Sequence, residues 1–213
     1  MSHPCVFCDR KQFEERLIAE ISGFYVIASL GQITDGGYVL LFPVEHTPCM
    51  GVLDEKQTSA MLTIAADIGE ALTKEYSPEF WTTRGYRATV FEHGIVGQTI
   101  QHGHLHFFPA ALDLTARPRA DFPAAEFVEL ECQGDLQDLY ARAPRPYLFW
   151  ESVEGKVIQS TMCWNPPAPS QYFRTVVAEM LGRPERANWR TMDPELDKRL
   201  WSETVRRLKP YFA

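Results

Sequence analysis

The chain has 213 residues, 45% of them hydrophobic and 23% charged, and a net charge of −7. This composition suits an ordinary globular protein with a full core, and the acidic balance disfavours long nucleic acids as partners. No apolar run is long enough to span a bilayer, and the first five residues hold no signal-peptide core, so no membrane partner and a cytoplasmic location are expected.

The first signal in chain order is Cys5-Val6-Phe7-Cys8. A C-x-x-C knuckle offers two thiolates to one tetrahedral ion, usually zinc, and the alternative is a pair of unligated thiols. The flanks lack the βαβ setting of a redox pair, and no second C-x-x-C exists, so histidines would have to complete a metal site. The odd total of five cysteines argues against a disulfide framework; Cys49, Cys132 and Cys163 read as small buried hydrophobes. Leu17–Ile21 and Phe24–Ala28, separated by Ser22-Gly23, predict a hairpin. The turn Asp35-Gly36-Gly37 leads into Tyr38–Pro43, an apolar run expected of a buried strand. Asp54 caps a predicted helix whose Met61, Ala65, Ile68 and Leu72 share a core-facing stripe, with Ser77-Pro78 as its stop. Arg84–Phe91 predicts another strand, running to a turn at Glu92-His93-Gly94.

Gln101–Pro109 holds His102, His104 and His106 at alternate positions, the period of a strand with three imidazoles on one face. Buried together, they offer a base, a nucleophile or a metal site. Gly97 just upstream permits a turn that aims backbone N–H groups at an anion. A metal-dependent enzyme of the cupin type also uses His-x-His, but it needs a carboxylate a few residues on, and Phe107-Phe108-Pro109-Ala110 has none.

After Pro109 the stretch Leu112–Arg119 reads as a connector. Tyr147–Glu151 and Val157–Ser160 predict a hairpin around Glu154-Gly155. Ser170 is a plausible cap for a helix Gln171–Leu181 with a Phe173, Val177, Leu181 stripe; Gly182 closes it and Asp193-Pro194 opens a last helix. Arg174, Arg183, Arg186 and Arg190 carry guanidinium forks suited to phosphate oxygens, or are solvated surface charges.

The run Gly97-Gln98-Thr99, two residues, then His102-x-His104-x-His106-Phe107-Phe108-Pro109 resembles the signature of the histidine-triad (HIT) superfamily of nucleotide hydrolases and transferases. Pro43-Val44-Glu45-His46 after its hydrophobic strand extends the likeness, which covers roughly Cys5 to Pro109. It looks closest to the zinc-containing branches, the galactose-1-phosphate uridylyltransferases and some dinucleoside-tetraphosphate phosphorylases. The resemblance implies structural zinc on Cys5, Cys8, His46 and His102, and His104 as nucleophile. It also implies phosphate and leaving-group contacts from His106, Gln98 and Thr99, with His93 and Gly97 beside the substrate. Two departures stand out. The galactose transferases have Gln where this chain has His106, and many members carry Asn where it has His93. His93 would bind phosphate, shuttle a proton or replace His102 on zinc.

The expected fold is α+β: a HIT-like antiparallel sheet with a long helix over 1–110, and a C-terminal α/β extension over 111–213 packed on it. The region from Gln171 to Arg190 more loosely resembles the C-terminal part of larger superfamily members, and is expected to border the substrate pocket, with Arg174, Arg183 and Arg190 as substrate-binding residues and Arg186 as a further candidate. The expected function is hydrolysis or nucleotidyl transfer at the α-phosphate of a nucleoside or dinucleoside polyphosphate, with a homodimer as the assembly. A non-catalytic nucleotide-binding or RNA-processing module is the alternative.

Overall fold

A computed structural model describes residues 5–77, 88–131, 134–154 and 157–213. Eight strands form one antiparallel sheet: β1 (Leu17–Ile21), β2 (Phe24–Ala28), β3 (Val39–Pro43), β4 (Thr89–Gly94), β5 (Leu105–Phe108), β6 (Glu126–Leu130), β7 (Tyr147–Glu154) and β8 (Val157–Trp164). Their order across the sheet is β1-β2-β3-β5-β4-β7-β8-β6. The helices are α1 (Glu55–Tyr76), α2 (Ala116–Asp121), α3 (Asp135–Arg142), α4 (Tyr172–Met180) and α5 (Pro194–Leu208). This is the expected α+β architecture. No helix among the described residues is long and apolar enough to cross a membrane.

Strand alternation divides the core into two layers. Val26, Val39, Leu41, Leu105, Phe107 and Phe149 point to one face, where α1 lays down Met61, Ile64, Ile68 and Leu72. Asp54 starts α1 with a reciprocal capping box to Gln57, which satisfies two otherwise orphaned N–H groups. The other face gathers Ile27, Leu40, Phe42, Phe91, Leu148 and Trp150 under Phe173, Val176 and Val177 of α4. The second half therefore joins the sheet edge to edge, through β4–β7 pairing from Val90↔Glu151 to Gly94↔Tyr147, as well as packing over it.

Several local expectations change. The Glu92-His93-Gly94 turn is the end of β4, because β7 extends the ladder past it. The Leu112–Arg119 connector contains the start of α2. β6 and α3 were not expected: among the described residues β6 is a half-exposed strand pairing only with β8, and α3 spans eight residues. Ser170 does not cap α4. The N-cap is Gln171 in the left-handed region, without a side-chain bond, and the Ser170 hydroxyl lies 3.0 Å from that of Thr99. Pro78, Cys132, Gly155 and residues 84–87 of the expected strand lie outside the described residues.

α5 fixes the segment between β2 and β3. The Asp197 carboxylate accepts the N–H groups of Gly31 and Gln32, each at 3.0 Å, and Thr204 Oγ1 accepts that of Gly37 at 2.8 Å. That segment ends at Tyr38, a wall of the site.

Candidate active site and metal cluster

The triad strand is shorter than its sequence pattern suggests: only Leu105–Phe108 pairs as β5, with His106 opposite Leu40 on one side and Phe91 on the other. His102 and His104 precede it, yet alternation persists. All three imidazoles sit on the face of Phe7, Phe42 and Phe91, while Leu105 and Phe107 enter the opposite layer.

His102 belongs to a separate cluster. Cys5 Sγ, Cys8 Sγ and ring nitrogens of His46 and His102 all lie within 4.8 Å of one another. Cys8 Sγ is 3.4 Å from His46 Nδ1 and 3.8 Å from His102 Nδ1, and Cys5 Sγ is 3.5 Å from His102 Nδ1. Sulfur and nitrogen ligands at the corners of a zinc tetrahedron stand about 3.6 Å apart, so the donors fit that ion. His102 Nε2 lies 2.9 Å from the Pro43 carbonyl, which can only accept. This sets the tautomer and leaves the Nδ1 lone pair toward the thiols, as a bound metal requires. His93 takes no part in the cluster.

His104 and His106 border a cavity of about 280 Å³ whose wall also includes Phe7, Arg16, Tyr38, His93 and Arg174. His104 Nδ1 lies 2.6 Å from the His102 carbonyl and must donate to it. Its Nε2 is then unprotonated, and burial holds its pKa down to about 4, so the lone pair is available at neutral pH. The two rings are 4.6 Å apart between centroids. His106 Nε2 is buried without a hydrogen-bond partner.

Gly97, Gln98 and Thr99 also line this cavity. Gly97 has φ +71°, and an added Cβ would come within 3.0 Å of the Pro169 carbonyl oxygen and 3.1 Å of the His93 ring. Its carbonyl accepts from Gln171 N–H at 2.8 Å, tying the loop to the start of α4. Gln98 Nε2 donates to the Pro48 carbonyl at 2.9 Å. His93 Nε2 accepts the Phe173 N–H at 3.1 Å, so this ring satisfies a first-turn amide of α4 that Gln171 leaves uncapped.

The four arginines separate. Arg174 is buried in the cavity wall, whereas Arg183 and Arg186 both pair with Asp35, at 2.6 and 3.0 Å, outside the cavity lining. Arg190 is exposed with its guanidinium 4.4 Å from the Trp189 ring centroid, and it too is outside the lining. Of the expected substrate-binding arginines Arg174, Arg183 and Arg190, only Arg174 lines the cavity, and Arg186 does not line it either. Arg16, Tyr38 and Trp189 are cavity residues that carried no sequence signal. Arg16 donates to the carbonyls of Ala28 and Gln12, at 2.9 and 3.3 Å. The described lining contains two guanidiniums and no carboxylate, a local positive site in an acidic chain.

Burial also sets a pH response. His93 is pushed down to about 3 and His106 well below 6.5, chiefly by desolvation. The unfolded chain then binds the extra protons, so each histidine's contribution is complete above pH 6.5 and is lost as pH falls. Glu92 and Glu151 are pushed up to about 7 by burial and act oppositely, stabilising at low pH and losing that contribution between about 4.5 and 7. His102 and His104, each held down to about 4 chiefly by burial, add to the histidine side. Four histidines thus outweigh the two glutamates, and the melting temperature should already decline between pH 6.5 and 4.5. Below 4.5 the glutamates no longer offset this. His93 and His106 each cost up to about 1.4 kcal/mol per pH unit, and Asp35, held low by Arg183 and Arg186, adds its own loss, so the melting temperature should fall more steeply. A melting temperature constant down to pH 3.5 would contradict the neutral burial of the histidines.

The chain is 26% identical over 200 residues to zinc finger CCCH domain-containing protein 59 of Oryza sativa subsp. japonica. That alignment covers 87% of this chain and 31% of the rice protein, so the chain spans about a third of this relative's length. Among solved structures it is similar to a hypothetical protein from Leishmania major, with TM-score 0.43 and 20% identity over 54% of this chain and 78% of that one. A HIT family protein from Bacillus anthracis str. 'Ames Ancestor' gives TM-score 0.45 and 18% identity over 67% and 96%. Residues 15–111, which hold His46, His93 and the whole triad, match the HIT domain family.

Proposed function

We propose that the protein is a nucleotide hydrolase or nucleotidyltransferase acting at the α-phosphate of a nucleoside or dinucleoside polyphosphate, through a nucleotidyl-histidine intermediate. The HIT domain supports nucleotide hydrolase or transferase chemistry in general. The observation that carries the finer reading is the tautomer of His104, whose Nδ1–H is bound to the His102 carbonyl so that Nε2 is the free lone pair at the cavity. In the first step Nε2 attacks the α-phosphorus. The bond to the leaving oxygen breaks, and its electron pair departs with the released phosphate or nucleotide. The imidazolium formed keeps its Nδ1–H on the His102 carbonyl, which stabilises the new positive charge. In the second step water or a phosphate oxygen attacks phosphorus, the P–N bond breaks, and the pair returns to Nε2; an attacking water releases one proton to solvent as the nucleoside monophosphate forms. Arg16 and Arg174 supply fixed positive charge near the anionic substrate, and His106, Gln98 and Thr99 are the candidate donors to its oxygens.

Zinc on Cys5, Cys8, His46 and His102, as in the zinc-containing branches, has a structural role in this reading: a closed four-ligand site cross-links the chain and offers no open position for substrate. It ties the knuckle to the residue whose carbonyl orients the nucleophile.

The reading is tested by incubating the protein with a panel of nucleotides, with and without inorganic phosphate or a hexose phosphate. Acid-free quenching and intact mass spectrometry should show one nucleoside monophosphate added per chain, mapped to His104. A panel giving neither turnover nor adduct would overturn it. The alternative, a non-catalytic binding module, draws on the alignment of nearly the whole chain to a minor part of a longer protein, where it would be one module among several.

A further inference from the structure

His106 is held by partners from both halves of the chain. Its ring stacks on Phe91, with centroids 4.3 Å apart, and its Nδ1 lies 2.6 Å from the Tyr38 hydroxyl oxygen. That oxygen also accepts from Arg174 Nη1 at 2.8 Å. Arg174 in turn donates to the carbonyls of Gly31 and Ala187, at 3.0 and 3.2 Å, and its guanidinium carbon sits 5.1 Å from the Tyr38 ring centroid. Gly31 makes this approach possible: a Cβ there would fall 2.8 Å from Arg174 Nη2 and 2.3 Å from Trp189 Cβ.

The hydrogen bonds have a direction. A guanidinium only donates, so the Tyr38 oxygen accepts a hydrogen bond from Arg174 and its own O–H is free to go to His106 Nδ1. The nearby Ser29 hydroxyl donates to the Leu30 carbonyl. We propose that Arg174 and Tyr38 are positioning residues that fix His106 as its Nε2–H tautomer, so that the cavity meets a ring N–H donor beside the lone pair of His104. Two adjacent imidazoles are thereby set to opposite polarity, His104 by a backbone carbonyl and His106 by a side-chain relay from α4. The donor suits a phosphate oxygen or the departing group, and this consequence for turnover rests on the function proposed above. The tautomer itself does not.

The test is long-range ¹⁵N–¹H correlation NMR of the histidine-labelled full chain, which reads each ring's tautomer directly. Wild type should show His106 protonated at Nε2 and His104 at Nδ1. Tyr38→Phe keeps the ring stack and deletes the relay oxygen; it should shift His106 toward a tautomer mixture while His104 is unchanged. Turnover should fall roughly 10-fold, the loss of about one hydrogen bond, with KM moving less than kcat. Arg174→Lys, which retains charge without the fork, should shift His106 in the same direction and guards against a Tyr38 variant that fails to fold. Wild-type His106 protonated at Nδ1, or an unchanged His106 tautomer in both variants, overturns the proposal. The expected tautomers in a protein that turns over no nucleotide would sustain this inference and overturn the function instead.

Discussion

His104→Ala is expected to lose kcat by on the order of 10³-fold or more, with nucleotide affinity changed only a few-fold. The ring is buried against Phe7 and His106, but its chemistry lies in one atom, the Nε2 left unprotonated by the bond to the His102 carbonyl. Removing that atom removes the covalent route, and no other unprotonated ring nitrogen is equivalent: His93 Nε2 is occupied by the Phe173 N–H, and His106 Nδ1 by Tyr38. His106→Ala should cost less, roughly 10²-fold, because it deletes a donor to developing charge and leaves the nucleophile in place. Steady-state kinetics with calorimetric binding separates the two effects. Equal losses for both variants would mean that nucleophile and donor have been misassigned, and wild-type turnover in His104→Ala would end the covalent mechanism.

Stripping the metal should be the largest perturbation of stability. Structural zinc in small sites contributes on the order of 10 kcal/mol, of which a folded domain that holds most of the geometry without the ion loses only part. Here the candidate ligands come from Cys5 and Cys8, the loop after β3 and the segment before β5, so an ion held by them would join three otherwise separate pieces of chain. Protein purified without chelator should contain about one zinc per chain, since one four-ligand site is present. Chelation, or Cys8→Ser, should lower the melting temperature by roughly 10 °C or more, as a loss of several kcal/mol implies for a domain of this size. Activity should follow with unfolding, and cobalt should restore both. Purified protein with no bound metal and unchanged melting after chelation would leave the cluster as a set of free thiols and imidazoles.

What could be read in the sequence was what the chain keeps close together. Three histidines at period two, a C-x-x-C, and a glycine turn before a strand announce their chemistry within a few residues, because side-chain direction follows backbone period. The companion ligand His46 came from the family resemblance. The rest of the cavity wall is assembled by tertiary contact. Tyr38 looked like the first residue of a core strand, and only the fold brings its hydroxyl to Arg174, 136 positions later. Arg16 and Trp189 carry no local pattern at all. Among the four arginines the sequence offered equal candidates, and their separation depends on Asp35, which claims Arg183 and Arg186 on the surface. α3 and β6 escaped because such short elements have too few periods to distinguish them from loop.

The β4–β7 junction has a consequence for how the chain acquires its structure. β4 is buried on both faces in the finished sheet, but until β7 exists one of its edges has no ladder partner. Val90 leaves the ribosome long before Glu151, an interval of several seconds at ordinary rates of synthesis. During that time the N-terminal half presents an apolar, hydrogen-bond-hungry edge, the surface that recruits other strands and seeds aggregation. A fragment ending near Pro109 would stay in that condition permanently. Nascent chains of this protein should thus be clients for holdase chaperones up to the emergence of the Tyr147–Trp164 hairpin, after which the open edge passes outward to β6, where Glu126 and Glu129 make it a poor template.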